Sequence, residues 1–270
     1  MSTAIARSAL RQAVSRLLGE SIVGVPGSDF AVNAFGCAKL AVYANDYFND
    51  FSGRFYSGTH LNTDFTVTDF VKTAGVVTFS PSVSGAVDAT DLFEMYPDFT
   101  PAEINDAINL ALSMVEEEAL QDKVDATLAV IASTFEYAIP TGFVYIDQIF
   151  QETSTADRYS PSGNLIDVRH WRVLHGSTPK VWFDNEYVSL TTGRNLRLVG
   201  QQYPAQLSLD ADECAVSQAY IVYQAKANLH FSRVDEQGDA HWNKMVAAQS
   251  RATEERKRIR VAGRGQRVSF

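Results

Sequence analysis

The sequence predicts an α+β protein, a helical bundle with two inserted antiparallel β modules. Helical periodicity occurs near the N-terminus, in one central segment and towards the C-terminus. Between these segments, short runs rich in β-branched and aromatic residues alternate with turn residues. Strands and helices do not alternate one by one, so a parallel nucleotide-binding sheet is not expected. The helices are expected to pack on one another, because none can bury its apolar stripe alone.

Residues 1–20 are predicted to form a basic amphipathic helix. One apolar stripe contains Ile5, Ala9 or Leu10, Val14 and Leu17. The segment has three arginines and no acidic residue before Glu20. An amphipathic transit peptide has the same composition and remains the alternative. No apolar run in the chain approaches the ~20 residues that cross a bilayer, so a membrane-spanning protein is not expected.

Residues 21–98 are predicted to form the first β module. Its candidate strands recur about every ten residues, as in small antiparallel barrels and sandwiches. Asn, Asp, Gly, Ser and Pro separate them and mark turns. The candidate strands are "KLAVYAN", "GRFYSG", "FTVTDF", "GVVTFS" and "DLFEMY".

The central helix is predicted over residues 99–122. Thr100 is placed to cap it, Pro101 suits its first position, and Glu103 completes a capping box. Apolar residues then recur at helical spacing and predict a buried face. These residues are Ile104, Ile108, Ala111, Val115 and Ala119.

The rest of the chain is predicted as a second β module, a helical region and a tail. Residues 123–207 contain runs rich in Val, Ile and aromatic residues, such as "GFVYIDQIF" and "KVWFD". Residues 208–260 are predicted as two helices. The first begins at "LSLDADE" with Ser208 or Asp210 as its cap, and the second runs from about Asp239 to Ile259. Residues 261–270 form a basic tail.

Charge divides the chain into an acidic body and two basic ends. The whole chain has a net charge of −9, whereas residues 251–270 hold seven basic and two acidic residues. Residues 1–20 hold three arginines and one glutamate, which leaves −16 for residues 21–250. Such a body repels nucleic acid and is not a DNA-binding domain, while the basic ends are candidates for docking on an acidic partner. The candidate docking residues are Arg7, Arg11, Arg16, Arg251, Arg256, Lys257, Arg258, Arg260, Arg264 and Arg267.

No catalytic, cofactor-binding or metal-binding motif is found in the sequence. There is no P-loop, no nucleophile elbow and no histidine spacing typical of a metal site. His170 and His175 flank one predicted strand in opposite phase, so they are expected to point to opposite faces. The acidic runs 116–118 and 210–213 are interpreted as a solvated helix face and a helix start. We therefore expect a non-enzymatic protein without cofactor or metal.

The cysteines and tryptophans also suggest structural roles. Cys37 and Cys214 match no ligand spacing and are expected to be buried free thiols, which suggests a reducing compartment. Trp171 and Trp182 lie in predicted strands, where core or cross-strand packing is the usual role. Stacking on a sugar is the alternative.

The run from Tyr47 to Tyr96 reads "YFNDFSGRFYSG", then "TVTDFVKTAGVVTFSPSVSGAVDATDLFEMY". It contains an Asn-Asp pair, a Val-Thr-Asp-aromatic strand, Ser-Pro and a late aspartate, Asp91. In this order the elements resemble a module found in structural proteins of tailed bacteriophages. The following "FTPAEINDAINLAL" resembles the helix that succeeds this module in phage head-to-tail connector adaptors, or neck proteins. "WRVLHGSTPKVWF" and "GRNLRLVGQQYPAQLSLDADE" resemble their second β region. The similarity extends over about residues 30–232.

The resemblance implies a virion protein at the head–tail junction, assembled in the host cytoplasm. It implies a homo-oligomeric ring, of about twelve copies, under the portal protein and above the next neck or tail protein. The ring would continue the channel through which DNA passes without sequence-specific binding. An acidic channel would suit that passage because it holds no phosphate.

Two other functions are compatible with the sequence. One is a different phage tail or capsid-decoration protein, which copy number in the particle would distinguish from a neck ring. The other is a carbohydrate-binding β protein that uses Trp171 and Trp182. No pair of carboxylates stands at convincing strand positions for glycoside hydrolysis.

Overall fold

The computed structural model confirms the α+β class, with four α-helices and antiparallel strands in several sheets among the described residues. The chain forms two compact units. Unit 1 consists of Met1–Val115 and Ala205–Ile259, and unit 2 of Glu116–Pro204 and Arg260–Phe270. The structure describes residues 4–19, 22–27, 31–154, 159, 164–234, 239–259 and 266–267.

The helices of unit 1 are organised around the third of them. They are α1 (Arg7–Leu18), α2 (Pro101–Ser113), α3 (Gln218–Ser232) and α4 (Asp239–Arg256). Helix α3 contacts each of the other three. Its buried residues lie around most of its circumference, as expected for a helix with neighbours on several sides. They are Tyr220, Ile221, Val222, Gln224, Ala225, Ala227, Leu229 and His230.

The start of α2 is confirmed and its predicted end is wrong. The backbone N–H of Glu103 donates to Thr100 Oγ1 at 3.1 Å, and the backbone N–H of Thr100 donates to Glu103 Oε2 at 2.8 Å. This reciprocal pair is the predicted capping box. The helix stops at Ser113 instead of residue 122, and residues 114–118 form turns. Residues 116–118 are three consecutive glutamates, and negative charges interact unfavourably with the negative C-terminal end of a helix. This favours an end of α2 before them.

Unit 1 also contains a six-stranded antiparallel sheet. Its order is β2-β7-β4-β5-β6-β3. The backbone N–H of Gly27, after β2, donates to the carbonyl of Gly36 in β3 at 2.7 Å, so the two terminal strands are linked. A short β1 (Ile5–Ala6) pairs separately with β15 (Glu213–Cys214). The six strands are β2 (Ile22–Gly24), β3 (Ala34–Gly36), β4 (Ser52–Phe55), β5 (Thr63–Val71), β6 (Val76–Ser80) and β7 (Phe93–Tyr96).

Aromatic side chains fill the core beneath this sheet. The ring centroids of Phe35 and Phe93 lie 4.4 Å apart, and those of Phe55 and Phe65 lie 4.8 Å apart. Four of the five predicted strands of this region are confirmed. The prediction for "KLAVYAN" is wrong, because Ala38–Val42 forms a 3₁₀ helix that buries Leu40 and leaves Val42 exposed.

Unit 2 consists of two antiparallel sheets around one core. Strand β10 lies between β14 and two short partners, β11 and β16, and β8 follows β14; β12, β13 and β9 form the second sheet. The strands are β8 (Gln121–Ala129), β9 (Glu136–Ala138), β10 (Tyr145–Gln151), β11 (Leu165–Ile166), β12 (Trp171–Leu174), β13 (Lys180–Phe183), β14 (Asn195–Gln202) and β16 (Gln266–Arg267). The core includes Phe143, Ile146, Ile149, Val181, Phe183, Leu196 and Leu198.

The helix predicted to begin at Ser208 or Asp210 is absent there. Residues 205–217 contain only the short β15, and α3 begins at Gln218. Asp212 accepts from the backbone N–H groups of Ser208 and Leu209 at 2.6 and 2.7 Å, which holds a turn. The carboxylate of Asp210 accepts hydrogen bonds from Arg7, Arg11 and Arg54. The acids of this run therefore stabilise a loop, contrary to the interpretation as a helix start.

Candidate interaction surfaces

Three arginines converge on the buried carboxylate of Asp210 in unit 1. Arg11 is bidentate, with both terminal nitrogens 2.8 Å from the two carboxylate oxygens. Arg7 donates to Oδ1 at 2.9 and 3.2 Å, and Arg54 donates to Oδ2 at 2.9 Å. Bidentate and charge-assisted bonds of this kind are the strong ones. One carboxylate therefore holds helix α1, strand β4 and the loop before β15 together.

The remaining nitrogens of two arginines have partners of their own. Arg11 Nε donates a hydrogen bond to Glu94 on β7, and Arg11 Nη1 donates one to Asn105 on α2 at 2.9 Å. Arg54 donates to Asp64 at 2.5 Å and to Asn62 at 3.0 Å. Buried guanidinium groups are tolerated only when they are paired in this way. We call the set Arg7, Arg11, Arg54, Glu94, Asn105 and Asp210 the arginine cluster.

The two acids of the arginine cluster have pKa values shifted in opposite directions. Burial alone would raise the pKa of Asp210, but the bonds and charges of Arg11 and Arg54 outweigh it and hold that pKa well below its usual range. Burial raises the pKa of Glu94, and Arg11 opposes that rise. Asp210 therefore stays ionised and is the main counter-charge of the arginines.

Two of the predicted docking arginines are not available for docking. Arg7 and Arg11 are buried, at 5% and 0% exposure, and both belong to the arginine cluster. A usable signal was present in the sequence: Arg7 and Arg11 recur with Leu10 and Val14 at helical spacing, so they share the buried face of α1. Arg16, by contrast, is exposed on α1.

The basic residues of the C-terminal segment have a different environment. Arg251, Lys257 and Arg258 are exposed, and Arg256 is half-buried. Arg258 pairs with Glu255 at 2.8 Å. The predicted docking residues Arg260 and Arg264 lie outside the described residues, and Arg267 is described only as part of β16.

Unit 1 exposes several large apolar side chains on its helices. Phe231 at the end of α3 is 65% exposed, and Trp242 and Val246 on α4 are 48% and 47% exposed. Leu110 is exposed on α2, and Met114 is exposed directly after the end of that helix. Between α1 and α3 lies an open groove of about 380 Å³, lined mainly by apolar groups and by Arg16. Exposed apolar residues of this size are typical of protein–protein contact surfaces.

The central stretch around Asp91 is a structural clasp. Asp91 is fully buried, and its two oxygens accept from the backbone N–H groups of His60 and Asp88, each at 3.0 Å. Gly58, with φ of +81°, approaches this carboxylate so closely that a Cβ atom would overlap it. The clasp joins two loops of the six-stranded sheet.

The tryptophans of unit 2 pack as predicted, and two histidines flank strand β12. Trp171 is buried, and Trp182 lies opposite Arg172, whose guanidinium carbon is 4.7 Å from the indole ring. Core and cross-strand packing of the tryptophans is thus confirmed. His170 belongs to a 3₁₀ helix before β12 and stacks on Tyr187, with ring centroids 4.9 Å apart, and His175 follows β12. The two histidines therefore flank the strand, as predicted, but the phase of the strand does not set the directions of their side chains.

The two cysteines are free and buried, as predicted. In the part of the chain that the structure describes, no group of three or more His, Cys, Asp or Glu residues could hold a metal ion. No described helix is both long enough and apolar enough to cross a membrane.

These features define a mixed α+β protein whose buried polar groups hold the fold and whose exposed helix faces offer contact surfaces. The family model described as SU10 adaptor protein matches residues 85–268. The chain therefore belongs to the SU10 adaptor protein family, a family of bacteriophage head–tail adaptors. It is a phage structural protein and a virion component. No curated protein matches the chain.

Proposed function

We propose that the protein is a head-to-tail connector adaptor that forms a ring under the portal and continues the DNA channel towards the tail. The observation that supports this most strongly is the family match over residues 85–268, which includes parts of both units. A structural role in the family also favours the proposal that the protein is not an enzyme.

The exposed faces of unit 1 support self-association into a ring. Phe231, Trp242 and Val246 are exposed on α3 and α4, and the groove between α1 and α3 lies on a different pair of helices. Contacts between unlike surfaces of identical copies close into a ring when the rotation between copies permits. Aromatic residues such as Trp242 frequently dominate the energy of such contacts.

The exposed basic residues of the C-terminal segment are proposed to dock on an acidic surface of the portal or of a neighbouring copy. Arg251 is exposed on α4, Lys257 and Arg258 are exposed in the turn that follows it, and Arg16 is exposed on α1. The acidic body, at −16 over residues 21–250, would let DNA slide because phosphates are not held. Arg7 and Arg11 are removed from this role by their burial.

Labelled antibodies against the chain test the position in the particle. We expect label at the single head–tail junction of each virion. Label along the tail or over the shell would contradict the connector position and favour another phage structural protein.

Charge reversal tests the docking role without disturbing the core. The triple change Arg251→Glu, Lys257→Glu and Arg258→Glu alters exposed residues only and should abolish attachment to portal-bearing heads. The matched control reverses three exposed lysines elsewhere, Lys39, Lys72 and Lys180, and should attach normally. Truncation after residue 250 is unsuitable, because it removes Ala252, which is fully buried.

A further inference from the structure

The outer edge of β10 is covered by two short strands from distant parts of the chain. Along its other edge, β10 pairs with β14 from Tyr145 to Gln151. On the outer edge, β11 pairs with Ile149 and Phe150, and β16 pairs with Tyr145 and Ile146. Among the described residues, the N-terminal half of this edge pairs with Gln266 and Arg267 of the C-terminal tail.

The pairing between β10 and β16 is antiparallel and short. Tyr145 faces Arg267, and Ile146 faces Gln266. An extended segment that adds to a sheet edge binds through main-chain hydrogen bonds, which any chain of suitable sequence can form. Two residue pairs give little stability by themselves, and such terminal pairings open readily.

The net charges of the tail and of unit 2 have opposite signs, which favours binding of the tail to this unit over binding of a neutral or acidic segment. Residues 260–270 contain three arginines and no acidic residue. Residues 116–204 of the same unit contain twelve acidic and seven basic residues, a net charge of −5. A net charge of +3 on the tail is attracted to this surface, and salt weakens the attraction.

We propose that the β10 edge at Tyr145–Ile146 is a docking site for the C-terminal tail, and that in the assembled protein the tail of a second copy occupies it. A site that accepts the chain's own tail accepts the identical tail of a neighbour through the same contacts, and exchange of identical elements is a low-cost route to association. Each copy would then be joined to the next by a strand. The inference goes beyond the proposed position in the virion and requires only that copies associate.

Disulfide trapping between two full-length variants tests the exchange. One chain contains Tyr145→Cys and the other Arg267→Cys, at positions that face each other across the two strands. Mixed under assembly conditions and oxidised, they should give a covalently linked dimer of the two variants. The matched control pairs Arg267→Cys with Gln151→Cys, about 20 Å further along β10, and should give none. The native Cys37 and Cys214 are buried in both chains.

The doubly substituted chain identifies the alternative occupant. In the chain that contains both Tyr145→Cys and Arg267→Cys, a disulfide within one chain would show that the tail pairs with its own copy. If this disulfide forms even in assemblies, and the mixture of the two single variants gives no linked dimer, the proposal is overturned. If neither experiment gives a disulfide, the tail does not dock on β10 and the proposal is also overturned.

Peptide binding tests the same site without a substitution at the buried Tyr145. The receptor is the full-length chain with Gln266→Pro and Arg267→Pro, in which positions 266 and 267 have no main-chain N–H to donate to β10. A labelled peptide of residues 260–270 should bind saturably, with one site per chain. A scrambled peptide of identical composition should bind at least tenfold more weakly. Equal binding of both peptides would show attraction by charge alone and overturn the strand site.

Discussion

Arg11 and Asp210 form a bidentate ion pair, with both N–O distances 2.8 Å, although they lie 199 positions apart in the sequence. The pair joins helix α1 to the loop that precedes β15. Arg7 and Arg54 share the same carboxylate, so one acid neutralises part of the charge of three buried arginines. Because both side chains are buried, the pair is shielded from screening by salt.

Replacing Asp210 by Asn should be strongly destabilising. The amide keeps the shape but removes the charge that compensates Arg7, Arg11 and Arg54, and it turns one acceptor into a donor. Breaking a buried ion pair from one side typically costs about 3–5 kcal/mol. Urea denaturation should therefore show a much lower midpoint for unit 1. Asp106→Asn, an exposed site on α2, is the control and should change the stability by less than about 0.5 kcal/mol.

The sequence was sufficient to predict features that depend on neighbouring residues. The capping box at Thr100 and Glu103 and the strands β4 to β7 are local patterns, and the structure contains them. The course of residues 208–217 was not predictable in the same way. Asp210 resembles a helix cap by its local sequence, but its environment is determined by Arg11 and Arg54, which are remote in the sequence.

The candidate docking residues show the same division. The sequence identifies basic residues but not their exposure, so Arg7 and Arg251 appear equivalent in a charge count. Packing separates them, because Arg7 lies beneath the loop of Asp210 while Arg251 faces solvent. Tail pairing on β10 depends on a contact between residues 145 and 267, and no local pattern in the sequence indicates it.

Gly58→Ala should destabilise unit 1 by more than the cost of placing an alanine at the positive φ of Gly58. A Cβ atom at Gly58 would overlap the Asp91 carboxylate and the Thr90 backbone, so the clasp between the two loops would have to shift. Gly85 is the matched control, since it has φ of +107° but open space around its Cα. Gly85→Ala should cost about 1 kcal/mol and Gly58→Ala at least twice as much. Equal losses in thermal denaturation would show that Asp91 does not depend on the close approach.

Thr100→Ala should weaken the start of α2. The change removes the Oγ1 acceptor for the Glu103 N–H and leaves that end of the helix uncapped. Loss of such a cap costs about 1 kcal/mol. Hydrogen exchange of the first turn of α2 should accelerate accordingly. Thr73→Ala, at an exposed site, should leave both exchange and stability unchanged.

Acid should weaken the pairing of α3 and α4 through His230. Its Nδ1 lies 3.2 Å from Nδ1 of His241, and its Nε2 is buried without a hydrogen-bond partner among the described residues. Burial, with Lys226, His241 and Lys244 nearby, lowers the pKa of His230 to about 4. The ring of Phe99 lies on another side, 6.3 Å away, and supplies no charge. Protonation would place a charged donor where no acceptor is available.

The sign of the effect follows from the lowered pKa. Above the pKa of an unfolded histidine, about 6.5, neither state binds the proton and the full stability is present. As the pH falls from 6.5 through 4, the unfolded chain binds the proton first, and at most about 3 kcal/mol is lost. Asp210, whose pKa is lowered in the fold, begins to lose its own stabilising contribution only near the acid end of this window, as the pH approaches the pKa of an unfolded aspartate, about 3.9.

The comparison of His230→Gln with wild type between pH 7 and pH 4 checks this assignment. The variant should start less stable at pH 7 and lose less stability on acidification, since it lacks the titrating group. His175→Gln, at an exposed site in unit 2, should retain the wild-type dependence. An unchanged slope in His230→Gln would assign the acid sensitivity to another group.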